Sequence, residues 1–359
     1  MSKRARSITI RDIAREANVS VATVSRYLNQ NAFVSPDLSE RIQQVMDRLD
    51  YIPQASARQL ATRKKNTIGL LVPDMRNNFF AALLAGIESE VSKHGYNLLV
   101  ATYRTNQRSS YQFPLGTHNT DGLLIFADSL TDKQINQLYD RQLPLILIHK
   151  FPGEGLPIPT VTIENKAATQ KLITHLIEKH NRKRILLVRG PKYQEDSYWR
   201  EVGFKAAVAD HNIPFDEALT IQGSFEHEAA YIAMNTFLAN PNHPKFDAIF
   251  TGDDDAAIGI YQALNEHGIR IPEDVSVVGF DDSQIAPFLS PPLTTVITPT
   301  EDVGRSAAVQ LFRLLAGDEP VPVTLHATEI VIRQSCGCNI NCHNSRRWFQ
   351  QRDSQITLT

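Results

Sequence analysis

The residues at the start of one short predicted helix have the chemistry needed to read DNA bases. Arg26 can donate two parallel hydrogen bonds to the edge of a guanine, and Val21 and Ala22 can fit against the methyl group of a thymine. Three hydroxyl groups on the same segment could donate to phosphate oxygens: Ser20, Thr23 and Ser25. This combination indicates a helix whose amino-terminal residues enter the major groove.

A second set of residues, mostly acidic and aromatic, follows the predicted strands of the remaining chain. Carboxylates accept hydrogen bonds from hydroxyl groups, and aromatic rings cover the apolar face of a sugar. Acidic residues at strand ends are also common as turn formers and helix caps, so both interpretations are open at this point. The residues concerned are Asp74, Asp196, Arg200, Phe225, Asp253 and Asp281.

Three capped helices are predicted to position the base-reading residues. Thr9 precedes an apolar stripe with helical spacing, and Asp12 three residues later completes a pattern like a capping box. Ser20 caps a second helix at residues 21–28, after a turn of about three residues. Pro36 occupies the first position of a third helix. The spacing predicts a helix-turn-helix unit.

Charge is divided unevenly between the two ends of the chain. The 359 residues carry 37 Lys and Arg against 39 Asp and Glu, a net charge of −2. Residues 1–65 hold 12 basic and 6 acidic residues, a net charge of +6, and the rest of the chain has 25 and 33, a net charge of −8. A basic segment on an acidic body indicates a polyanionic partner. A solvated basic tail would have the same charge, and the helical pattern favours DNA.

Short apolar runs alternate with amphipathic segments through the rest of the chain. The predicted strands cover residues 67–72, 96–102, 121–126, 145–149, 184–188, 219–222, 248–251 and 275–279. The predicted helices cover residues 79–94, 166–179, 199–211, 227–238 and 256–267. This alternation predicts parallel sheets flanked by helices, in two lobes. Ligands bind beyond the carboxyl ends of such strands, so the cleft between the lobes is the predicted ligand site.

Two stretches of the chain resemble one family of bacterial transcription regulators, the lactose-repressor/galactose-repressor family. Residues 10–29 are similar to the family's headpiece, and residues 51–61 are similar to its hinge helix. By position alone, Leu60 is either a packing leucine or a wedge between base steps of the minor groove. The resemblance, which runs from about Thr9 to Cys338, implies the wedge. It also implies a homodimer, with a tetramer as the open alternative, on a near-palindromic operator.

The resemblance sets the predicted fold class and domain boundaries. An all-α helix-turn-helix headpiece precedes an α/β two-lobed domain that resembles the periplasmic binding proteins. The boundaries are a headpiece at 1–52, a hinge helix and linker at 53–65, an effector-binding and dimerisation domain at 66–335, and a tail at 336–359. The full set of predicted DNA-contacting residues is Thr9, Ser20, Val21, Ala22, Thr23, Ser25, Arg26, Asn29, Ala57, Leu60 and Ala61.

The resemblance also favours the ligand interpretation of the acidic and aromatic residues. Residues 77–80 are similar to the family's Asn-Pro-Phe-Phe loop, 200–204 to its Arg-x-x-Gly-Phe motif, and 279–282 to its Gly-Tyr-Asp-Asp motif. His149 ends a strand where relatives often have aspartate, although histidine is also common in satisfied cores. The predicted effector site, for a sugar in preference to a purine, is Phe79, His149, Asp196, Arg200, Phe225, Asp253 and Asp281.

The motifs of the common enzyme classes are missing from the sequence. It has no Gly-x-Gly-x-x-Gly, no phosphate-binding Gly-x-x-x-x-Gly-Lys-Ser/Thr and no Gly-x-Ser-x-Gly. Residues 227–231 miss the His-Glu-x-x-His zinc motif at the last position. We therefore expect a regulator without catalytic residues or cofactor. The alternative is a two-lobed sugar-binding receptor or an enzyme without DNA function, and neither needs a basic headpiece.

The ends of the chain lead to two further expectations. The amino terminus lacks the continuous apolar core of a signal peptide, and no apolar run is long enough for a membrane span, so a cytoplasmic protein without a membrane partner is expected. Four potential metal ligands lie near the carboxyl terminus: Cys336, Cys338, Cys342 and His343. Their spacing fits no zinc signature well, so we expect a frayed tail with free thiols and no metal.

Overall fold

The computed structural model describes residues 8–29, 32–51, 64–75, 79–103 and 113–339. The chain divides between residues 66 and 67 into an amino-terminal unit and a larger body. Several residues singled out in the sequence lie outside the described residues: Ala57, Leu60, Ala61, Asn77, Asn78, Cys342 and His343. The same holds for the side chain of Asn29. No helix among those described is both long and apolar enough to cross a lipid bilayer.

The amino-terminal unit contains three helices: α1 (Ile10–Glu16), α2 (Val21–Asn29) and α3 (Pro36–Arg48). The carboxylate of Asp12 accepts hydrogen bonds from the backbone N–H of Thr9 at 3.0 Å and from its hydroxyl at 2.7 Å. The hydroxyl oxygen of Ser20 accepts the backbone N–H of Thr23 at 3.0 Å. These bonds satisfy donors that a helix start otherwise leaves free, so the predicted caps have a clear local cause.

The apolar stripes of the three helices meet in one small core. Its buried members are Ile13, Ala14, Ala17, Val24, Ile42, Val45 and Met46. Full burial of a residue such as Ile13 contributes about 1.5–3 kcal/mol. The hydroxyl of Tyr27 on α2 donates to Gln43 on α3 at 2.6 Å and fixes the rotation of α2 about its axis. The predicted helix-turn-helix arrangement is confirmed.

The body alternates strands and helices. Its described strands are β1 (Thr67–Val72), β2 (Asn97–Thr102), β3 (Gly122–Phe126), β4 (Leu145–Ile148), β5 (Thr160–Ile163), β6 (Ile185–Arg189), β7 (Thr220–Gln222), β8 (Ala248–Thr251), β9 (Ser276–Val278), β10 (Thr295–Ile297), β11 (Val323–His326) and β12 (Glu329–Val331). Its described α-helices are α4 (Phe79–Lys93), α5 (Asp132–Tyr139), α6 (Lys166–His180), α7 (Glu195–Asp210), α8 (His227–Ala239), α9 (Asp254–Glu266) and α10 (Thr300–Ala316).

Two parallel sheets form the centres of the two lobes. The first sheet has the order β11-β5-β4-β3-β1-β2, and the second has the order β7-β6-β8-β9. All their pairings are parallel, whereas β10 and β12 form a separate antiparallel pair. Strands β3, β4 and β8 are buried along their whole length, as expected for parallel strands covered by helices on both faces. The predicted α/β fold class is confirmed.

The last part of the body was not predicted from the sequence. The antiparallel pair, helix α10 and strand β11 all follow Val278, in a region interrupted by prolines that indicate loops. Strand β11 returns to the edge of the first sheet, so that lobe includes late parts of the chain. Cys336 is fully buried, so the ordered body continues past the predicted boundary at residue 335 and the expectation of a frayed tail is wrong there.

Helices α4 and α10 of the first lobe pack unusually closely. Gly86 on α4 faces the backbone of α10, where an added methyl group would overlap the carbonyl oxygen of Glu301. Gly304 on α10 faces α4 in the same way, at the carbonyl oxygen of Leu83. The neighbours are backbone atoms that cannot rotate away. Glycine is therefore required at both positions by close approach.

We expect Gly86→Ala to lower the free energy of unfolding. Overpacking against backbone costs about 1–3 kcal/mol, which outweighs the roughly 1 kcal/mol that alanine gains over glycine in a helix. Gly153→Ala is the control, because nothing lies within 4 Å of the position its methyl group would take. Urea denaturation followed by circular dichroism measures both variants. Equal midpoints for the two would contradict the packing argument.

Candidate functional sites

One face of α2 is free of the core and carries the predicted base-reading residues. Val21 is 42% exposed, and Ala22 and Arg26 are also exposed. Val24, on the opposite face, is completely buried. The side of α2 that carries Val24 packs in the core, so the side that carries Val21 is available to a partner. Thr23 and Ser25 are half-buried beside it.

The hydroxyl groups predicted to contact phosphate also have structural roles. Ser20 is exposed and Thr23 is half-buried. Their hydroxyl oxygens lie 2.8 Å apart at the start of α2. Thr9 is exposed at the start of α1 and donates to Asp12. Capping accounts for these side chains without DNA, so their contacts with phosphate stay predictions.

Residues from both lobes of the body meet at the carboxyl ends of their strands. His149 follows β4 of the first sheet and Asn165 follows β5. Asp196 and Arg200 lie in the first two turns of α7, and Asp281 follows β9 of the second sheet. The sequence predicted that this helix begins at residue 199. It begins at Glu195, so Asp196 lies in the helix and not in a loop.

Asp196 is the point where the first lobe bonds to the second. It is 5% exposed and lies 3.0 Å from Nδ1 of His149, and its other oxygen accepts the side-chain amide of Asn165 at 2.7 Å. Burial raises the pKa of Asp196, but His149, Arg200 and Asn165 outweigh burial and hold the pKa below its usual value. Asp196 is therefore a carboxylate that accepts hydrogen bonds.

Arg200 is the centre of the network and is only 4% exposed. Its guanidinium donates to the side-chain oxygen of Asn165 at 2.9 Å, to the carbonyl of Gly252 at 2.6 Å and to Asp281 at 3.2 Å. The guanidinium lies over the ring of Phe280 at 3.8 Å. These contacts hold one positive charge in a site that is shielded from water.

The aromatic residues of the predicted site lie on two sides of this network. The ring of Phe225 lies 5.2 Å from the guanidinium carbon of Arg200, beside Gly190 and Gly252, where any added methyl group would meet the ring. Phe79 lies 5.9 Å from the ring of His149. The cavity left between Phe225 and Arg200 is about 10 Å³, roughly the space of one water molecule. A larger ligand therefore enters this cavity only if the ring of Phe225 or its neighbours move.

Asp253 has the capping role that was the alternative for acidic residues at strand ends. Its carboxylate accepts the backbone N–H of Ala256 at 3.0 Å and begins α9. Burial raises its pKa well above the ordinary value, and the nearby carboxylate of Asp281 raises it further. Burial also raises the pKa of Asp281, against the opposing effect of Arg200. These shifts show how strongly the site resists more negative charge.

The sequence did not indicate Asn165, and it indicated Asp254 only as one of three aspartates that follow a predicted strand. Asn165 joins Asp196 to Arg200, but it follows β5, a strand that was not predicted, so its place at a strand end was hidden. Asp254 is 1% exposed and accepts the backbone N–H of Ser283 and the hydroxyl of Thr295, each at 2.7 Å. Its only signal was its place in a run of three aspartates.

A second buried ion pair holds the loop that carries Asp281. Arg333 donates to Asp282 at 2.6 Å and to the carbonyl of Leu293 at 2.8 Å. Asp281 and Asp282 have φ angles of 108° and 51°, a region that non-glycine residues rarely adopt. Such residues cost about 1–3 kcal/mol each and persist only where the surroundings hold them. The Arg333 pair supplies that restraint.

We expect the free energy of unfolding to fall as pH rises, because Asp254 is protonated in the folded protein over a pH range in which it is ionised in the unfolded chain. Burial, helped by Asp281, raises the pKa of Asp254 from 3.8 to about 8. Between these values the folded protein binds a proton that the unfolded chain does not, so the free energy of unfolding decreases with pH. Asp254 contributes a slope of up to about 1.4 kcal/mol per pH unit to the free energy of unfolding. The Asp254→Asn variant should lack this contribution.

Urea titrations from pH 4 to pH 8 measure this difference between wild type and Asp254→Asn. Asp318→Asn, which changes an exposed carboxylate, is the control and should follow the wild type. If the Asp254→Asn and wild-type curves run parallel, Asp254 does not bind the proton.

The chain matches two family models, one in each unit. Residues 9–54 match "Bacterial regulatory proteins, lacI family", and residues 173–336 match "Periplasmic binding protein-like domain". Catabolite control protein A of Priestia megaterium is 30% identical over 305 residues, which are 84% of this chain and 90% of that protein. The ribose operon repressor of Haemophilus influenzae is 33% identical over 85% of this chain and 91% of that protein.

A solved structure is similar over nearly the whole chain. It is described as a complex of the transcriptional regulator CelR with cellobiose, is 28% identical, and aligns with a TM-score of 0.66 over 91% of this chain and 99% of that one. The named relatives are a control protein, a repressor and a transcriptional regulator, in agreement with the expectation of a non-enzyme. The chain belongs to the lacI family of bacterial regulatory proteins.

Proposed function

We propose that the chain represses transcription as a homodimer on a near-palindromic operator, and that a neutral sugar bound between the lobes controls its affinity for DNA. The observation that carries the ligand part of this proposal is the buried network around Arg200, which joins the two lobes at the ends of their strands. The DNA part is supported by the exposed face of α2. The position of the hinge leucine, Leu60, in a minor groove is proposed from the sequence alone.

The dimensions of α2 favour two copies on one DNA site. The helix has nine residues and is therefore about 13 Å long, which is enough to place only a few side chains in one major groove. A second headpiece in the next major groove would double the number of bases that are read. Two identical headpieces related by a two-fold axis require a near-palindrome. A tetramer would pair two such dimers.

The charges around the cleft favour a neutral ligand over an anion. Asp196 and Asp281 surround a single guanidinium, and the buried Asp253 lies close by. A phosphate or an acid sugar would add a negative charge to a site in which Asp196 already raises the pKa of Asp281, and Asp281 raises that of Asp253. Hydroxyl groups can donate to those carboxylates and accept from Arg200. A ring of Phe225 can stack on a sugar or on a purine, and the purine is the second candidate.

A ligand in this site can act on DNA affinity through the bonds between the lobes. His149 and Asn165 of the first lobe bond to Asp196 and Arg200 on α7, which follows the first strand of the second sheet. A sugar that exchanges hydrogen bonds with this set changes which arrangement of the lobes is favoured. Typical coupling of this kind is about 1–3 kcal/mol.

We expect Arg26→Ala to weaken binding to the operator by about 1–3 kcal/mol and to relax the preference at one base pair in each half-site, because the guanine contact is lost. The operator is first selected from random duplexes with the wild type, and binding is measured by titration at fixed salt.

Arg48→Ala is the matched control, because it removes the same charge from α3, where Arg48 pairs with Glu16 at 2.8 Å. It should weaken specific and nonspecific binding by similar factors. Unchanged operator affinity in Arg26→Ala would remove Arg26 from the base-reading set. If the wild type selects no symmetric sequence, the chain is a receptor without DNA function and the proposal fails.

We expect a neutral sugar to raise the melting temperature of the wild type and to have no such effect on Asp281→Asn, because that variant loses a charged acceptor beside Arg200. Thermal shift against sugars, sugar acids, sugar phosphates and purines tests this. A ligand at 100 times its Kd stabilises its protein by about 2.7 kcal/mol.

Asp274→Asn is the control for this experiment, since Asp274 is an exposed carboxylate in an ion pair with Arg270 on the same lobe. It should respond to the sugar like the wild type. A normal response in Asp281→Asn would place the sugar elsewhere. A shift with a purine alone would favour the second candidate.

A further inference from the structure

Four potential metal ligands converge where the carboxyl-terminal end of the body meets α6. His175 and His180 lie in the last turns of α6, and Cys336 and Cys338 follow β12. One ligand atom from each of the four lies within 4.8 Å of the others. Cys336 is buried, and the other three side chains are half-buried. The group is separate from the network around Arg200 and plays no part in the proposed function.

The distances among the ligand atoms of His175, His180 and Cys338 match the edges of a tetrahedron around one zinc ion, and the sulfur of Cys336 lies within 4.8 Å of each of them. With Zn–S bonds of about 2.3 Å and Zn–N bonds of about 2.0–2.1 Å, the ligand atoms of a tetrahedral site lie about 3.3–3.8 Å apart. The Nε2 atoms of His175 and His180 are 3.3 Å apart. The sulfur of Cys338 lies 3.3 Å from Nε2 of His180 and 3.7 Å from Nε2 of His175.

The backbone around the cysteines brings them close to the helix. Gly337, between the two cysteines, has a φ of 106°, which favours glycine, and a Cβ there would lie 3.1 Å from the ring of His180. The carbonyl of Cys336 accepts the hydroxyl of Ser276 at 2.9 Å, and the backbone N–H of Gly337 donates to Gln334 at 2.9 Å. The backbone that carries the two cysteines is therefore held in place by bonds that need no metal.

We propose that His175, His180, Cys336 and Cys338 bind one structural Zn²⁺ ion, which fastens the carboxyl-terminal segment of the body to α6. Two thiolates and two imidazoles in a tetrahedron are the ligand set that zinc prefers, and four protein ligands leave no open position for catalysis. The sequence predicted no metal here, because it offered Cys342 and His343 as partners in place of the two distant histidines.

The chemistry of the imidazoles agrees with this assignment. Neutral imidazole nitrogens bind a metal ion, and the Nε2 atoms of His175 and His180 both lie beside the sulfur of Cys338. The two thiols lose their protons when they bind the ion. The ion would also stabilise the segment that includes Arg333, the partner of Asp282. Its effect would thus extend to the loop that carries Asp281.

Metal titration of the full chain tests the proposal. The protein is purified with a phosphine reductant, which keeps the thiols free, is stripped with a chelator, and is then titrated with Co²⁺ and afterwards with Zn²⁺. We expect one equivalent of Co²⁺ per chain, with the visible bands of tetrahedral cobalt and a thiolate charge-transfer band in the near ultraviolet. Zn²⁺ should displace Co²⁺ and raise the melting temperature.

Substitutions identify the ligands. Mutation of a residue that only orients a metal ligand lowers metal affinity by about 10–100-fold. Cys338→Ser and His175→Asn remove ligands directly. Each should therefore weaken Zn²⁺ binding by more than about 100-fold. Both side chains are half-buried, and circular dichroism without metal checks that both variants fold. Cys342→Ser and His343→Gln are the matched controls and should bind as the wild type does.

Three results would overturn the assignment. The first is a folded, reduced wild type that binds no Co²⁺ or Zn²⁺. The second is Co²⁺ bound with the weak spectrum of an octahedral site that lacks thiolate. The third is metal binding that survives in both Cys338→Ser and His175→Asn and is lost in Cys342→Ser or His343→Gln.

Discussion

A buried guanidinium is the constraint on which the body of this protein depends. Arg200 is almost fully removed from water, and a charge in that position requires partners for its donors. Those partners come from both lobes: Asn165 from the first, and Gly252 and Asp281 from the second. Loss of the Asn165 acceptor would leave a buried charged donor without its partner, which costs at least about 1–3 kcal/mol, so this bond between the lobes is stronger than a surface contact. A ligand that enters must replace these bonds.

The same requirement explains the strained loop beside it. Asp281 reaches Arg200 only because its backbone has a φ of 108°, and Asp282, which follows at 51°, is held by Arg333. Arg333 lies in the segment just before Cys336. The proposed ligand site thus depends on residues about fifty positions away in the sequence. The segment that includes Arg333 therefore supports the loop that carries Asp281.

The sequence predicted elements that depend on neighbouring residues better than contacts between residues that are far apart in the chain. The exposed face of α2 follows from helical period and caps, and strands such as β1 and β8 follow from short apolar runs, because each depends only on neighbours in the chain. Asn165 was missed because β5 is short and lies just after a Pro- and Gly-rich stretch. His175 and Cys336 are 161 positions apart. No spacing rule relates residues that only the folded body brings together.

The network around Arg200 would also limit how strongly the proposed sugar can act on DNA binding. The hydrogen bonds of Arg200 and Asp196 are already made without ligand, whereas Nε2 of His149 is buried without a partner among the described residues. At Arg200 and Asp196 a sugar would gain only the difference between its own bonds and those it replaces, together with the apolar contact of Phe225. A ligand shifts an equilibrium by no more than its difference in affinity for the two states. A net gain of about 1–3 kcal/mol would change operator affinity by roughly 5–150-fold. A change of that size is sufficient for regulation. For a sugar to cause it, the Arg200 network itself must stabilise the arrangement that the lobes have without sugar.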